Sequence, residues 1–151
     1  MKPDTTLTIL SVLAVVLMAV HLSQDIVFGY DPSGPSNLTG VAILAVWLYA
    51  ALALSGRRSG YMILILGSFF AAMMPVIHMS GRGVRAEVVT SAGGLFFLWT
   101  LMALGVSGTV ALVLSLQGLW RLEQGVWRAV LWTAITVVVG AAFFGSLIYF
   151  R

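Results

Sequence analysis

Residues 5–25 read TTLTILSVLAVVLMAVHLSQD, and the fold turns on how this stretch is read. From Leu7 to Val20 only Thr8 and Ser11 interrupt an apolar run, and neither carries a charge. With its flanks, Thr5 to Gln24 supplies the ~20 residues that a helix needs to cross a hydrocarbon core of about 30 Å. The run then turns polar at His21, Ser23, Gln24 and Asp25. A membrane helix ending in a histidine, an amide and a carboxylate is the unit from which the rest of the chain is read.

The whole composition points the same way. The 151 residues are 60% hydrophobic and 9% charged, with a mean hydropathy of +1.05. Soluble domains carry about a quarter charged residues. A soluble domain of about 150 residues would also leave roughly 30% of its chain surface in water. Lipid contact removes that conflict, so an all-α integral membrane protein is expected. The net charge of +3 does not describe a nucleic-acid surface, because the eight basic residues lie singly or in pairs at the ends of apolar runs, where they set topology. The chain has no cysteine, which excludes disulfides, thiolate ligands and CxxC redox chemistry. The first run is long for a signal-peptide core and no A-x-A-like site follows it, so it reads as a retained anchor.

Five apolar runs, at about 5–24, 39–55, 61–79, 89–116 and 128–150, predict one polytopic domain, a compact bundle of about five transmembrane helices. Four spans result if the second run is re-entrant, or if the second and third form a hairpin that does not cross. Gly29, Pro32, Gly34 and Pro35 make residues 26–38 a loop. Pro75 predicts a kink late in the third span. Residues 80–87 read as a polar loop and 117–128 as an interfacial turn. Lys2, Arg57, Arg58, Arg121 and Arg128 fall on one face, against Arg82, Arg85 and Arg151 on the other, which favours N-in, C-out. Size, Cys-free composition and hydropathy resemble those of small multi-span proteins of bacterial inner membranes, and that likeness implies a location but no activity.

Membrane helices associate through small residues and interhelical hydrogen bonds. The fourth run offers Ala103, Ser107, Ala111 and Ser115 at four-residue spacing beside Gly105 and Gly108; the fifth offers Thr133, Thr136, Gly140, Ala141 and Gly145. These rows suit packing within the monomer, a homo-oligomer or a larger membrane complex.

Candidates for chemistry gather at one face. At about 1.5 Å rise per residue, His21 and His78 lie about 24–26 Å along the first and third helices, at matching depth. Met18, Gln24 and Asp25 share a helix face with His21, and Met74 and Arg82 flank His78 by one turn. Three functional readings fit: His21 and His78 as axial ligands of a haem b; His21, His78, Met18 and Met74 around copper, which accepts imidazole and thioether; or an anionic lipid or small ligand held by Arg82 and Arg85. A carboxylate one turn from a ligating histidine, as Asp25 is, can hold its second ring nitrogen. The reading with fewest assumptions is interfacial: His21, Gln24 and Asp25 are polar residues of the membrane edge, and Asp25, Asp31 and Glu87 pair with Arg82 and Arg85 to fasten the outer loops.

Enzyme chemistry has little support. Ser23 stands two residues from His21 and from Asp25, a spacing that does not face on a helix. HExxH, Gly-x-Ser-x-Gly and phosphate-loop motifs do not occur. A charged residue near the midplane, usual in transporters, is also missing from the runs. The expected role is therefore a structural or accessory membrane subunit. A haem- or copper-binding protein is the alternative, and a small transporter or lipid-binding protein the second alternative.

Overall fold

The computed structural model describes residues 4–30, 34–35, 37–80, 90–123, 125, 128, 130–138 and 140. The described residues form helices and short connections, without strands. Four helices are delimited: α1 (Thr5–Val27), α2 (Asn37–Ala53), α3 (Arg58–Ser80) and α4 (Ala92–Glu123). A further helical stretch covers residues 130–138. With 23, 23 and 32 residues, α1, α3 and α4 are long and apolar enough to cross a membrane, whereas α2 is apolar but has 17 residues.

Local chemistry sets the ends. Asp4 caps α1, its Oδ1 accepting from the Leu7 N–H at 3.1 Å. At the other end Gly29 takes φ +72°, the Tyr30 N–H bonds the Asp25 carbonyl and the Gly29 N–H bonds the Ile26 carbonyl. This Schellman closure needs a residue that tolerates the left-handed region, and it folds Tyr30 back over the helix end. Thus α1 runs past the expected exit at Gln24. The α2–α3 turn uses Gly56 at φ +78°. The Ser91 hydroxyl accepts from the Gly94 N–H at the start of α4.

One expectation needs correction. Residues 117–123, read as an interfacial turn, continue α4. No proline or left-handed glycine breaks the ladder there, and Leu119 and Glu123 are buried against the bundle.

Helices alternate in direction. His21 near the end of α1 meets His78 near the end of α3, while Phe97 near the start of α4 packs on both. The opposite end joins the start of α3 to the end of α4 through Arg58 and Glu123. The most extensive pairing is α3 with α4. It depends on two glycines: a Cβ on Gly105 would stand 2.5 Å from Pro75 Cγ, and one on Gly108 2.6 Å from Ala71 Cβ and 2.7 Å from the Ala72 nitrogen. Ser107, Ala111 and Ser115 are buried in the same core.

Apolar side chains also cover the outside, including Ile9, Leu13 and Val16 on α1 and Val106, Val110 and Val113 on α4. Serines and threonines lie within: Ser107 and Ser115 donate to the Leu104 and Ala111 carbonyls. An exterior as apolar as the interior suits a helix surrounded by lipid. Of the tryptophans within the apolar runs, Trp47 is buried, but Trp99 is 74% exposed.

The α3–α4 contact gives a direct test. Gly108→Ala adds helix propensity worth about 1 kcal/mol, yet its methyl meets backbone that cannot move aside, an overpacking cost of about 1–3 kcal/mol. Thermal unfolding in detergent should show Gly108→Ala destabilised, whereas Gly93→Ala, whose Cβ would come no closer than 3.5 Å to Phe28, should be unaffected or stabilised.

Candidate metal centre

His21, Gln24 and Asp25 fall on one face of α1 because three- and four-residue spacings align on a helix. That face turns inward, and His21 is 1% exposed. From α3, His78 arrives one turn beyond Pro75, at the level set by the parallel run of the two helices. The two imidazole rings touch edge to face, with centroids 4.6 Å apart at 72°.

Asp25 lies between them. His21 Nε2 is 3.5 Å from Asp25 Oδ2, and His78 Nε2 is 3.4 Å from Asp25 Oδ1, so each ring addresses a different oxygen of one carboxylate. Both distances exceed the usual N–H···O range of about 2.7–3.2 Å. They match the separation of about 3.4 Å between two donors each about 2.1 Å from a tetrahedral ion. One donor atom from each of His21, Asp25 and His78 lies within 4.8 Å of the other two.

The hydrogen-bond pattern explains why the centre suits a cation. His78 Nδ1 is 3.1 Å from the Met74 carbonyl oxygen, which can only accept, so Nδ1 carries the proton. In the neutral ring Nε2 then presents a lone pair to a carboxylate oxygen. Two acceptors face each other there unless a proton or metal cation lies between them. A ligating histidine that gives its second N–H to a backbone carbonyl is the usual support around a metal. Both ring nitrogens of His21 and Oδ1 of Asp25 are buried without a hydrogen-bond partner among the described residues, and such groups in a native structure call for an explanation.

Aromatic rings wall the centre. Phe97 is fully buried and lies 5.2 Å from His21, 5.7 Å from His78, 5.7 Å from Tyr30 and 5.7 Å from Phe28, between ring centroids. Gln24 ties α1 to α4, its Oε1 accepting from the Thr100 hydroxyl at 2.6 Å.

The structure therefore brings together His21, His78, Asp25 and Gln24. Met74 contributes its backbone carbonyl, and Met18 and Met74 pack against the apolar core. Asp31, Arg82, Arg85 and Glu87 lie outside the described residues. Haem b does not fit between His21 and His78: centroids 4.6 Å apart mean rings in direct contact, which leaves no gap for a macrocycle. A bare ion needs no such gap. Phe97 and Thr100 carried no signal in the sequence, since they lie inside an apolar run, and the role of Tyr30 depends on the turn that folds it back.

No family model matches the chain, and no similar curated protein or solved structure was found. What the fold and centre define is a helical bundle, apolar enough for a membrane, with a two-histidine, one-carboxylate donor set at one end.

Phe97 is the side chain on which the centre rests. Phe97→Ala should cost about 3–5 kcal/mol, the range for deleting a buried aromatic, and Thr100→Val about 1 kcal/mol for one interhelical hydrogen bond. Denaturation of the two variants in detergent checks both values and their order.

Proposed function

We propose that the chain is a multi-span membrane protein that binds one transition-metal ion between α1 and α3 through His21 Nε2, His78 Nε2 and the Asp25 carboxylate. The carrying observation is one half-buried carboxylate that meets two imidazole nitrogens at 3.5 Å and 3.4 Å, distances too long for good hydrogen bonds and right for shared ligands. Two imidazoles with one carboxylate favour zinc, copper, iron or nickel over magnesium and calcium, which prefer oxygen donors. Copper thus remains among the candidates, with Asp25 in place of a thioether as third donor. Three protein donors leave a coordination position for water or a metal-bound ligand, so the role is metal binding or transfer at one membrane face.

Membrane insertion, the N-in orientation and a fifth span near residues 128–150 belong to this proposal, as does an inner-membrane location. Insertion and orientation are supported by three helices of crossing length, an apolar exterior and the excess of arginine at the Arg58 end; the fifth span rests on the apolar sequence of 128–150, whose residues 141–150 lie outside the described ones. The accessory-subunit reading rests on small-residue rows. Ser107, Ala111 and Ser115 are already spent on the chain's own core, so the metal reading carries more weight.

Chelator-stripped full-length protein in detergent, titrated with Zn²⁺ or Co²⁺, should bind one equivalent. Its unfolding temperature should rise, with stabilisation of about 2.7 kcal/mol at a free metal concentration 100 times Kd. His21→Leu should match or exceed the stripped wild type in stability, because it removes a buried ring without hydrogen bonds, yet gain nothing from metal. Asp25→Asn should weaken metal binding at least about 10–100-fold, since even partners of ligands matter that much. An unchanged unfolding temperature with either metal contradicts the proposal.

A further inference from the structure

The end of the bundle away from the histidines carries a second constellation, independent of the first. Glu123 closes α4 with its side chain only 1% exposed. Arg58, at the start of α3, donates from Nε to Glu123 Oε1, and Arg128 Nε stands 3.8 Å from Oε2. One buried carboxylate therefore accepts from the Arg58 guanidinium and draws that of Arg128 by charge. Both remain open to the outside, Arg58 at 44% and Arg128 at 70% exposure. Each meets Glu123 through its Nε side, so the outer Nη pair of each fork is the part free to face an external anion. Arg57 and Arg121 are exposed near the same end. Among the described residues the acids there are Asp4, which caps α1, and Glu123. Four arginines face two carboxylates, and the end is cationic.

What adjoins the pair is apolar and aromatic. The Arg58 guanidinium lies 5.0 Å over the Trp132 ring. Trp120 is exposed one position before Arg121, and Val130 and Leu131 are exposed just after Arg128. A soluble anion needs only the charges. A cationic patch with outward tryptophan and an apolar flank beside it matches a molecule that is anionic at one end and hydrocarbon at the other.

We infer that Arg58 and Arg128, preset by Glu123, bind the phosphodiester headgroup of an anionic phospholipid whose acyl chains lie along Val130 and Leu131. Planar guanidinium forks bind phosphate oxygens in pairs, and basic pockets between membrane helices are sites for anionic headgroups. Glu123 fixes the Arg58 fork and keeps Arg128 nearby, which lowers the ordering cost of binding. Trp132 and Trp120 set the depth at the membrane–water interface.

Native mass spectrometry of the full chain in detergent, with equal amounts of phosphatidylglycerol or phosphatidylcholine added, tests this. Retention of phosphatidylglycerol should exceed that of phosphatidylcholine, and Arg128→Gln should lower it about five-fold, the effect of one arginine near a charged headgroup. Phosphatidylcholine, whose choline cation offsets the same phosphate, should lose less in this variant, and the unfolding temperature should not change, because Arg128 is mostly exposed. Arg58→Lys, which keeps the charge and loses the fork, should also lower phosphatidylglycerol retention. Inorganic phosphate at equal concentration should not displace the lipid. Equal retention of the two lipids, an unchanged ratio in Arg128→Gln, or displacement by inorganic phosphate would each overturn the inference.

Discussion

A half-buried carboxylate shared by two imidazoles, one of them fully buried, is the constraint on which this molecule depends. Drawing a carboxylate out of water carries a cost that is recovered only if partners of opposite charge or good hydrogen bonds surround it. Asp25 has His21 and His78 on its two oxygens, at distances longer than hydrogen bonds. The proposed cation at the centre would turn the facing acceptors into ligands and give Nε2 of His21 a partner.

The scaffold can be understood as what holds those three donors in place. His78 sits on the short end of α3 beyond Pro75, and that end is braced because Pro75 packs into the notch left by Gly105. Gly108 brings α4 close enough for Phe97 to reach both imidazoles. The Gln24–Thr100 bond ties α1 to α4 at the same level, and the Gly29 closure of α1 returns Tyr30 to the ring cluster. At the opposite end Arg58 and Glu123 lock α3 to α4. Inside an apolar exterior, directional contacts of this kind decide which helices meet, since helix association in lipid has no hydrophobic drive.

Much of this was legible in the sequence. Run length and composition give the helices, because bilayer thickness sets a length that ordinary helices do not need. The matched depth of His21 and His78 follows from rise per residue alone, and the i, i+4 spacing brings Asp25 to His21. Which side chain stands between the imidazoles was not legible: thioethers at Met18 and Met74 occupy equally good helical positions, and only the rotation of α1 against α3 brings in the carboxylate. Phe97 could not be picked from an apolar run where every residue has the same hydropathy. The extension of α4 to Glu123 was hidden because Arg121 and Glu123 resemble interfacial loop residues until Arg58 is seen to reach Glu123. Asp31, Arg82, Arg85 and Glu87 lie outside the described residues.

The proposed centre is defined by the donor set of one ion. X-ray absorption at the zinc edge of the full chain, loaded with one equivalent of Zn²⁺ and freed of excess, reads that set directly. The account predicts a four-coordinate shell with two imidazole nitrogens at about 2.0–2.1 Å and oxygen donors at about 2.0–2.2 Å, with imidazole scattering reduced in His78→Ala. A protein that retains no zinc, or a shell without imidazole, would contradict it.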